Sequence, residues 1–292
     1  MAIGNFDGVH LGHARIVERL VKQARRVQGP AVVFTFDPHP ARLLRPDMAP
    51  PPLTWIDRKT QLLAELGIDF VVAYPTDEEL LKKTPDQFFQ TIIREGLNAH
   101  ALVEGPNFYF GQKRAGTIDV LRTLCQSVNM ELEIVEPMIY EGEIVSSSRI
   151  RRLIGEGHVQ QAAKLLTHPY RIRGMVAHGA GRGAKIGFPT ANLAAIDTLL
   201  PGPGVYAGRA MFQGSVHPAA INIGPNPTFG ENVLKVEIHL LDFNQSLYGE
   251  PLEVDFLSKL RDIQPFPDVN ALKNQLVRDV AATREIVRSH RE

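Results

Sequence analysis

Two histidines three residues apart, His10 and His13, follow the run Gly4-Asn5-Phe6-Asp7-Gly8 at the start of the chain. The segment from Ala2 to Phe6 reads as a strand and that from Leu11 to Val27 as a helix, with an Asp-Gly turn between them. Ligands of open α/β sheets sit beyond the carboxyl ends of strands, where helix N-termini offer unpaired N–H groups to anions. Glycines at 4, 8 and 12 let the backbone approach a ligand, and two imidazoles there can donate hydrogen bonds to an α-phosphate as charge builds on its oxygens. The alternative is a purely structural pair at a helix start. A metal centre finds no third ligand nearby.

Three further clusters carry candidate chemistry. Ser146-Ser147-Ser148-Arg149-Ile150-Arg151 joins helix-capping hydroxyls to arginines able to grip phosphate bidentately, or it is an ordinary capped surface helix. The stretch Gly179 to Asn192, with glycines at 179, 181, 183 and 187, superficially suggests a P-loop, but Lys185 is followed by Ile186 where that motif needs Ser or Thr. What remains is a glycine-rich connection able to cover phosphates, followed by Thr190 and Asn192, whose oxygens suit Mg²⁺; turn glycines with locally satisfied Thr and Asn are the plain alternative. In Lys235 to Leu241, strict alternation puts Val236, Ile238 and Leu240 on one face and Lys235, Glu237, His239 and Leu241 on the other. Glu237 is either a wet-face carboxylate or a rigidly held base for a phosphoryl acceptor.

The elements that must position these groups fall into two styles. Up to about Gly155, short β-branched runs (Ala2–Phe6, Ala31–Phe36, Asp69–Tyr74, Ala101–Glu104, Glu131–Glu136) alternate with amphipathic ones, the rhythm of a mostly parallel sheet. Beyond it, glycines crowd residues 170–204, and extended runs follow at Val205–Phe212, Val216–Ile223, Leu234–Leu241 and Leu252–Leu257, arguing an antiparallel barrel or sandwich. A last helix, Val269 to Val287, should lay Val269, Leu272, Leu276, Val280 and Val287 against it. The boundary is expected between Gly157 and His168. A length of 292 residues fits about two domains. Equal numbers of acidic and basic residues, 32 each, give no general pull toward nucleic acid or anionic lipid. A single cysteine, Cys125, and the lack of a long apolar run fit a cytoplasmic protein without membrane spans.

In combination these motifs closely resemble the bacterial bifunctional riboflavin kinase/FAD synthetase family. GNFDGVHLGH, Thr35-Phe36-Asp37-Pro38-His39-Pro40, the segment Glu104 to Gly111 with Arg114, and SSSRIR match its nucleotidylyltransferase module. GFPTAN (Gly187 to Asn192), Gly204 to Tyr206, Asn222 to Phe229, Val236 to Phe243 and Tyr248-Gly249 match its kinase module. The resemblance implies a multidomain fold: a Rossmann-like α/β nucleotidylyltransferase domain over 1–160 and an antiparallel β-barrel riboflavin kinase domain with a terminal helix over 165–290. It further implies Glu237, His10 and His13 as catalytic residues. Nucleotide binding falls on Gly4, Asn5, Phe6, Asp7, Gly8, Ser147, Ser148, Arg151, Gly179, Gly181, Gly183, Lys185, Gly187 and Thr190. Flavin binding falls on Asn107, Phe108, Arg261 and Phe266, and Mg²⁺ on Thr190 and Asn192. ATP is the co-substrate, and riboflavin, FMN and FAD are substrates or products; self-association is left open.

Three departures stand out. Family members usually carry a leader before the first strand, so the N-terminal module is expected to be the less stable one. Tyr109 and Ala184 stand where the family often has arginine. Two alternative functions follow: a riboflavin kinase whose N-terminal half is only a scaffold, and a flavin carrier without activity.

Overall fold

The computed structural model describes residues 1–179, 181–226 and 231–290. By internal contacts the chain forms two compact units, residues 1–50 with 55–147, and residues 51–54 with 148–292.

The first unit is a doubly wound sheet. Strands β1 (Ala2–Ile3), β2 (Val32–Asp37) and β3 (Phe70–Pro75) pair in parallel, as do β4 (Ala101–Glu104) and β5 (Glu131–Ile134). The Val103 N–H donates to the Met1 carbonyl, which joins the two sets into the order β3-β2-β1-β4-β5. Strand order therefore reverses between β1 and β4, the place where such sheets open a crevice at their carboxyl ends. Alternate residues feed two cores: Ala2, Val33 and Val103 pack with helices α1 (Leu11–Arg26) and α2 (Ile56–Glu65), whereas Ile3, Phe34 and Leu102 pack with Phe88, Phe89 and Ile93 and with α3 (Ile118–Ser127). A small hairpin, β6 (Ile139–Tyr140) and β7 (Glu143–Ile144), closes the unit. The first strand is shorter than the Ala2–Phe6 expected, because Phe6 turns to φ 45° and ends pairing.

In the second unit, helices α4 (Ser147–Gly155) and α5 (Val159–Leu165) lead into a closed antiparallel barrel. Its strands are β8 (Tyr170–Ala177), β9 (Ala191–Ala194), β10 (Gly204–Phe212), β11 (Ser215–Asn226), β12 (Glu231–Leu240) and β13 (Pro251–Arg261), in the order β10-β11-β12-β9-β8-β13. Strand β8 falls in the stretch read from sequence only as glycine-rich, yet Tyr170, Ile172, Gly174 and Val176 alternate inward. Tyr206, Ile221, Ile238, Val254 and Phe256 fill the barrel. Helix α6 (Val269–Ser289) packs on β10, β11 and β13. Its inner stripe departs from the expected one at the first turn, where Val269 is exposed; Leu272, Leu276 and Val280 face the barrel side, Val287 is buried, and the polar Asp279 and Thr283 share that face. Leu241, placed with the outward residues of its strand, is buried just beyond it.

Candidate functional sites

The loop from Gly4 to His10 leaves β1 at the switch point, and both Phe6 (φ 45°) and the β-branched Val9 (φ 35°) adopt left-handed backbone there. Such conformations persist only where surrounding structure holds them, and they cluster at functional sites. Two hydrogen bonds pin the loop: Ser147 Oγ donates to the Asp7 carbonyl at 2.9 Å, and Thr35 Oγ1 donates to the Asn5 carbonyl at 3.2 Å. Asn5 Oδ1 is buried with no hydrogen-bond partner among the described residues.

His10 caps α1 and His13 is its third residue. Each Nδ1 accepts the other residue's backbone N–H at 3.3 Å, a reciprocal capping box built from two imidazoles. The rings stack with centroids 3.6 Å apart and planes inclined by 15°. Because both Nδ1 atoms accept, both rings are neutral with the proton on Nε2, where each is a donor. Burial first, then the repulsion that a second proton on the stacked pair and the Lys59 ammonium would bring, holds His13 well below the ordinary imidazole value. Gly12 leaves little room beside them: a Cβ there would lie 3.1 Å from the His10 ring, which would have to give by a few tenths of an ångström. The side chain of Glu104, at the end of β4, accepts the Ile3 N–H at 2.7 Å, and burial pushes its carboxyl well above the usual range.

Beyond β4, Asn107 is exposed, and Phe108 stacks on Phe110 at 5.4 Å. The guanidinium of Arg114 lies 4.5 Å over the Tyr109 ring, so this loop keeps a cation beside the position where the family often has arginine. Ser147 thus joins the His10 loop, whereas Ser148 and Arg151 fall in the second unit, where Arg151 Nε donates to the Pro51 carbonyl at 3.0 Å.

On the barrel, the outward face of β12 is a wall rather than open surface. Lys235, Glu237 and His239 line a cavity of about 160 Å³ between the barrel and α6. Register places Asn192 of β9 and Asn222 of β11 directly across from Glu237 on either side, and Asn222 Nδ2 donates to Glu237 Oε2 at 3.4 Å. Thr190, Asn192, Arg261 and Phe266 line the same cavity. His239 Nδ1 donates to the Pro189 carbonyl at 2.7 Å, which fastens the segment carrying Thr190 to β12. Gly179 is required by close approach: a Cβ there would lie 2.1 Å from Asn192 Nδ2. Of the flap residues, Gly181, Arg182 and Gly183 reach the cavity, while Lys185 and Gly187 are exposed and are not among the described residues lining it. Ala180 and the Pro227, Thr228 and Phe229 of the matched motif lie outside the described residues.

Sequence reasoning missed Asp279. This buried carboxylate accepts from Arg261 through Nε and Nη2 and from Gln275, fixing the guanidinium at the cavity, where it also lies 5.5 Å over the Phe266 ring. It also overlooked Glu253 and Asp255 as acids on a regular strand; both are engaged by Arg171, and Asp255 also by Arg209.

A FAD synthetase family model matches residues 1–149 and a riboflavin kinase model matches residues 166–287, which makes the chain a two-module transferase. Bifunctional riboflavin kinase/FMN adenylyltransferases from Escherichia coli K12, Pseudomonas fluorescens and Listeria monocytogenes are each 34% identical to it, over 97–98% of this chain and 91% of theirs. A crystal structure described as a macrolide-efflux protein from Streptococcus pneumoniae superposes with a TM-score of 0.86 at 34% identity, covering 97% of this chain and 93% of that one. The chain belongs to the bifunctional riboflavin kinase/FMN adenylyltransferase family, and it is an enzyme with both modules. Among the described residues no helix is long and apolar enough to cross a membrane.

Proposed function

We propose that the barrel phosphorylates riboflavin to FMN and that the N-terminal module then joins AMP from ATP to FMN, with the kinase assigned to 165–290 and the adenylyltransferase to 1–160. The observation that carries the kinase reading is the row Asn192, Glu237 and Asn222 on three neighbouring strands, facing one cavity roofed by α6. Glu237 accepts the proton of the ribityl 5′-hydroxyl as its oxygen bonds to the γ-phosphorus of ATP and ADP leaves. A carboxylate held between two strands meets that hydroxyl with little loss of orientation. Arg261, fixed by Asp279, and Phe266 flank the flavin, and Gly179, Gly181, Gly183, Lys185 and Gly187 form the cover over the nucleotide.

The donor set fits Mg²⁺: Thr190 and Asn192 offer neutral oxygens beside Glu237, and no cluster of three His, Cys, Asp or Glu side chains suited to a metal occurs among the described residues. An ion that keeps most of its waters and leans on substrate phosphate needs no more. When bound there by Thr190 and Asn192, Mg²⁺ supplies charge neutralisation on the nucleotide phosphates.

In the first module, the Nε2–H groups of His10 and His13 stabilise charge on the α-phosphate while an FMN phosphate oxygen attacks it and pyrophosphate leaves. Gly4, Asn5, Phe6, Asp7 and Gly8 shape the nucleotide loop, Ser147 holds phosphate, and Asn107 and Phe108 meet the flavin. The test is to incubate purified protein with riboflavin, ATP and Mg²⁺ and separate the flavins by chromatography. FMN followed by FAD is the expected result. FMN alone would leave the first module a scaffold, and neither product would leave a flavin carrier.

A further inference from the structure

Lys59, on the first turn of α2, is only 7% exposed, an unusual place for an ammonium group. Its Nζ donates to Thr35 Oγ1 at 3.4 Å, its one hydrogen bond to a side chain among the described residues. The Thr35 hydroxyl, fully buried, has a single proton and gives it to the Asn5 carbonyl. The carboxylates of Asp7 and Asp37 attract the ammonium across the crevice, and burial opposes its charge. The relay from Lys59 through Thr35 therefore ends on the carbonyl before Phe6, just as Ser147 ends on the carbonyl after it. These two anchors bracket the left-handed turn that delivers His10 and His13.

A buried cation with so few partners is costly, and an apolar side chain of similar shape would often be neutral or stabilising in its place. We propose that Lys59 is a positioning residue of the adenylyl-transfer site: through Thr35 it fixes the Asn5 end of the histidine loop, and its charge offsets Asp7 and Asp37 where an anionic triphosphate must enter. The inference rests on the reading of His10 and His13 as the transfer site, so His13→Ala serves as the reference variant. A helix-borne lysine tied to a strand threonine sets the loop before substrate arrives, so its loss is felt in turnover.

FAD formation from FMN, ATP and Mg²⁺ is measured on the full chain for Lys59→Met, Thr35→Val, the double variant and His13→Ala, with riboflavin phosphorylation followed in the same samples. Lys59→Met is expected to lower kcat about 30-fold and Thr35→Val about tenfold, with KM for FMN little changed. The double variant should fall no further than Lys59→Met, because both act through one link. Kinase activity should stay at the parent level, and the melting of the first unit, followed by Trp55 fluorescence, should be unchanged or raised for Lys59→Met. Full adenylylation by Lys59→Met beside a His13→Ala variant that has lost it would overturn the role of Lys59 and leave the site standing. An unaffected His13→Ala would overturn the site itself. A melting point lowered in Lys59→Met, together with full activity in Thr35→Val, would make the lysine a packing residue and also sink the inference.

Discussion

Arg261 at the end of β13 and Asp279 on α6 form a bidentate pair, with Arg261 Nη2 donating to Asp279 Oδ2 at 2.9 Å and Nε shared between Oδ1 at 3.2 Å and Oδ2 at 3.1 Å. The Asp279 carboxylate is 4% exposed and takes a further hydrogen bond from Gln275. One ion pair thus ties the closing helix to the barrel and aims a cation at the cavity. Asp279→Ala leaves a guanidinium half-buried without its partner, which costs about 3 kcal/mol. Chemical denaturation of the second unit should show that loss, and the variant should bind riboflavin at least tenfold more weakly. Unchanged stability and affinity would reduce the pair to a surface ornament of the helix.

Glu237→Gln keeps the shape of the side chain and an acceptor for Asn222 but has no useful proton affinity. Riboflavin kinase kcat should fall by about 10² to 10⁴ with KM little changed. Adenylylation of supplied FMN is expected to continue at the parent rate. Near-normal phosphorylation by the Gln variant would return Glu237 to a purely structural place on the wall.

The stacked histidines make the first unit sensitive to acid. His13 is held below its ordinary value of 6.5, so between the two values the unfolded chain binds more protons than the folded one, and stability rises with pH. The contribution is complete above about 6.5 and is lost as pH falls below it, by up to about 1.4 kcal/mol per pH unit relative to a variant lacking the imidazole. Trp55, the only tryptophan, is buried in this unit and reports its unfolding. Melting curves at pH 7.0 and 5.5 should separate the parent from His13→Asn, whose slope with pH is shallower. Parallel slopes would mean that His13 titrates like a free imidazole.

Gly179→Ala tests the floor of the flap. The added methyl would overlap the Asn192 amide, whose neighbour across the strand is Glu237. The amide must move, so the Mg²⁺ concentration giving half-maximal kinase activity should rise about tenfold while FAD formation from FMN is unaffected. Titrating Mg²⁺ against both reactions checks this; an unchanged requirement would remove Asn192 from the ion's surroundings.

The parts of the fold written in short-range periodicity could be read in advance, and the parts set by distant partners could not. Alternation through Val236, Glu237 and Ile238 announces a two-faced strand, and the crossover rhythm of the first half announces a parallel sheet. The alternation of Tyr170, Ile172 and Val176 carried the same signal for β8, but Arg171, Arg173 and nearby glycines masked it. Strand β1 ends early because Phe6 is forced into a conformation that propensity disfavours. Asp279 sits within the apolar stripe of its helix, where an acid looks out of place, since nothing local tells that Arg261 waits beneath it. Lys59 reads as an ordinary solvated helix lysine for the same reason: Thr35 and Asp37 are more than twenty positions away.

Strand β12 carries its two duties on alternate residues. Val236, Ile238 and Leu240 point into the barrel, while Lys235, Glu237 and His239 face the cavity. Since the barrel closes on itself, the first set contributes to cohesion and the second to chemistry, with little overlap. A saturation mutagenesis survey of these six codons, scored separately for cellular abundance and for flavin output, should therefore give a comb: even positions depleting the protein, odd positions leaving it plentiful but idle. Evolution and engineers alike can retune the reaction on such a strand one residue at a time without reopening the problem of how it folds.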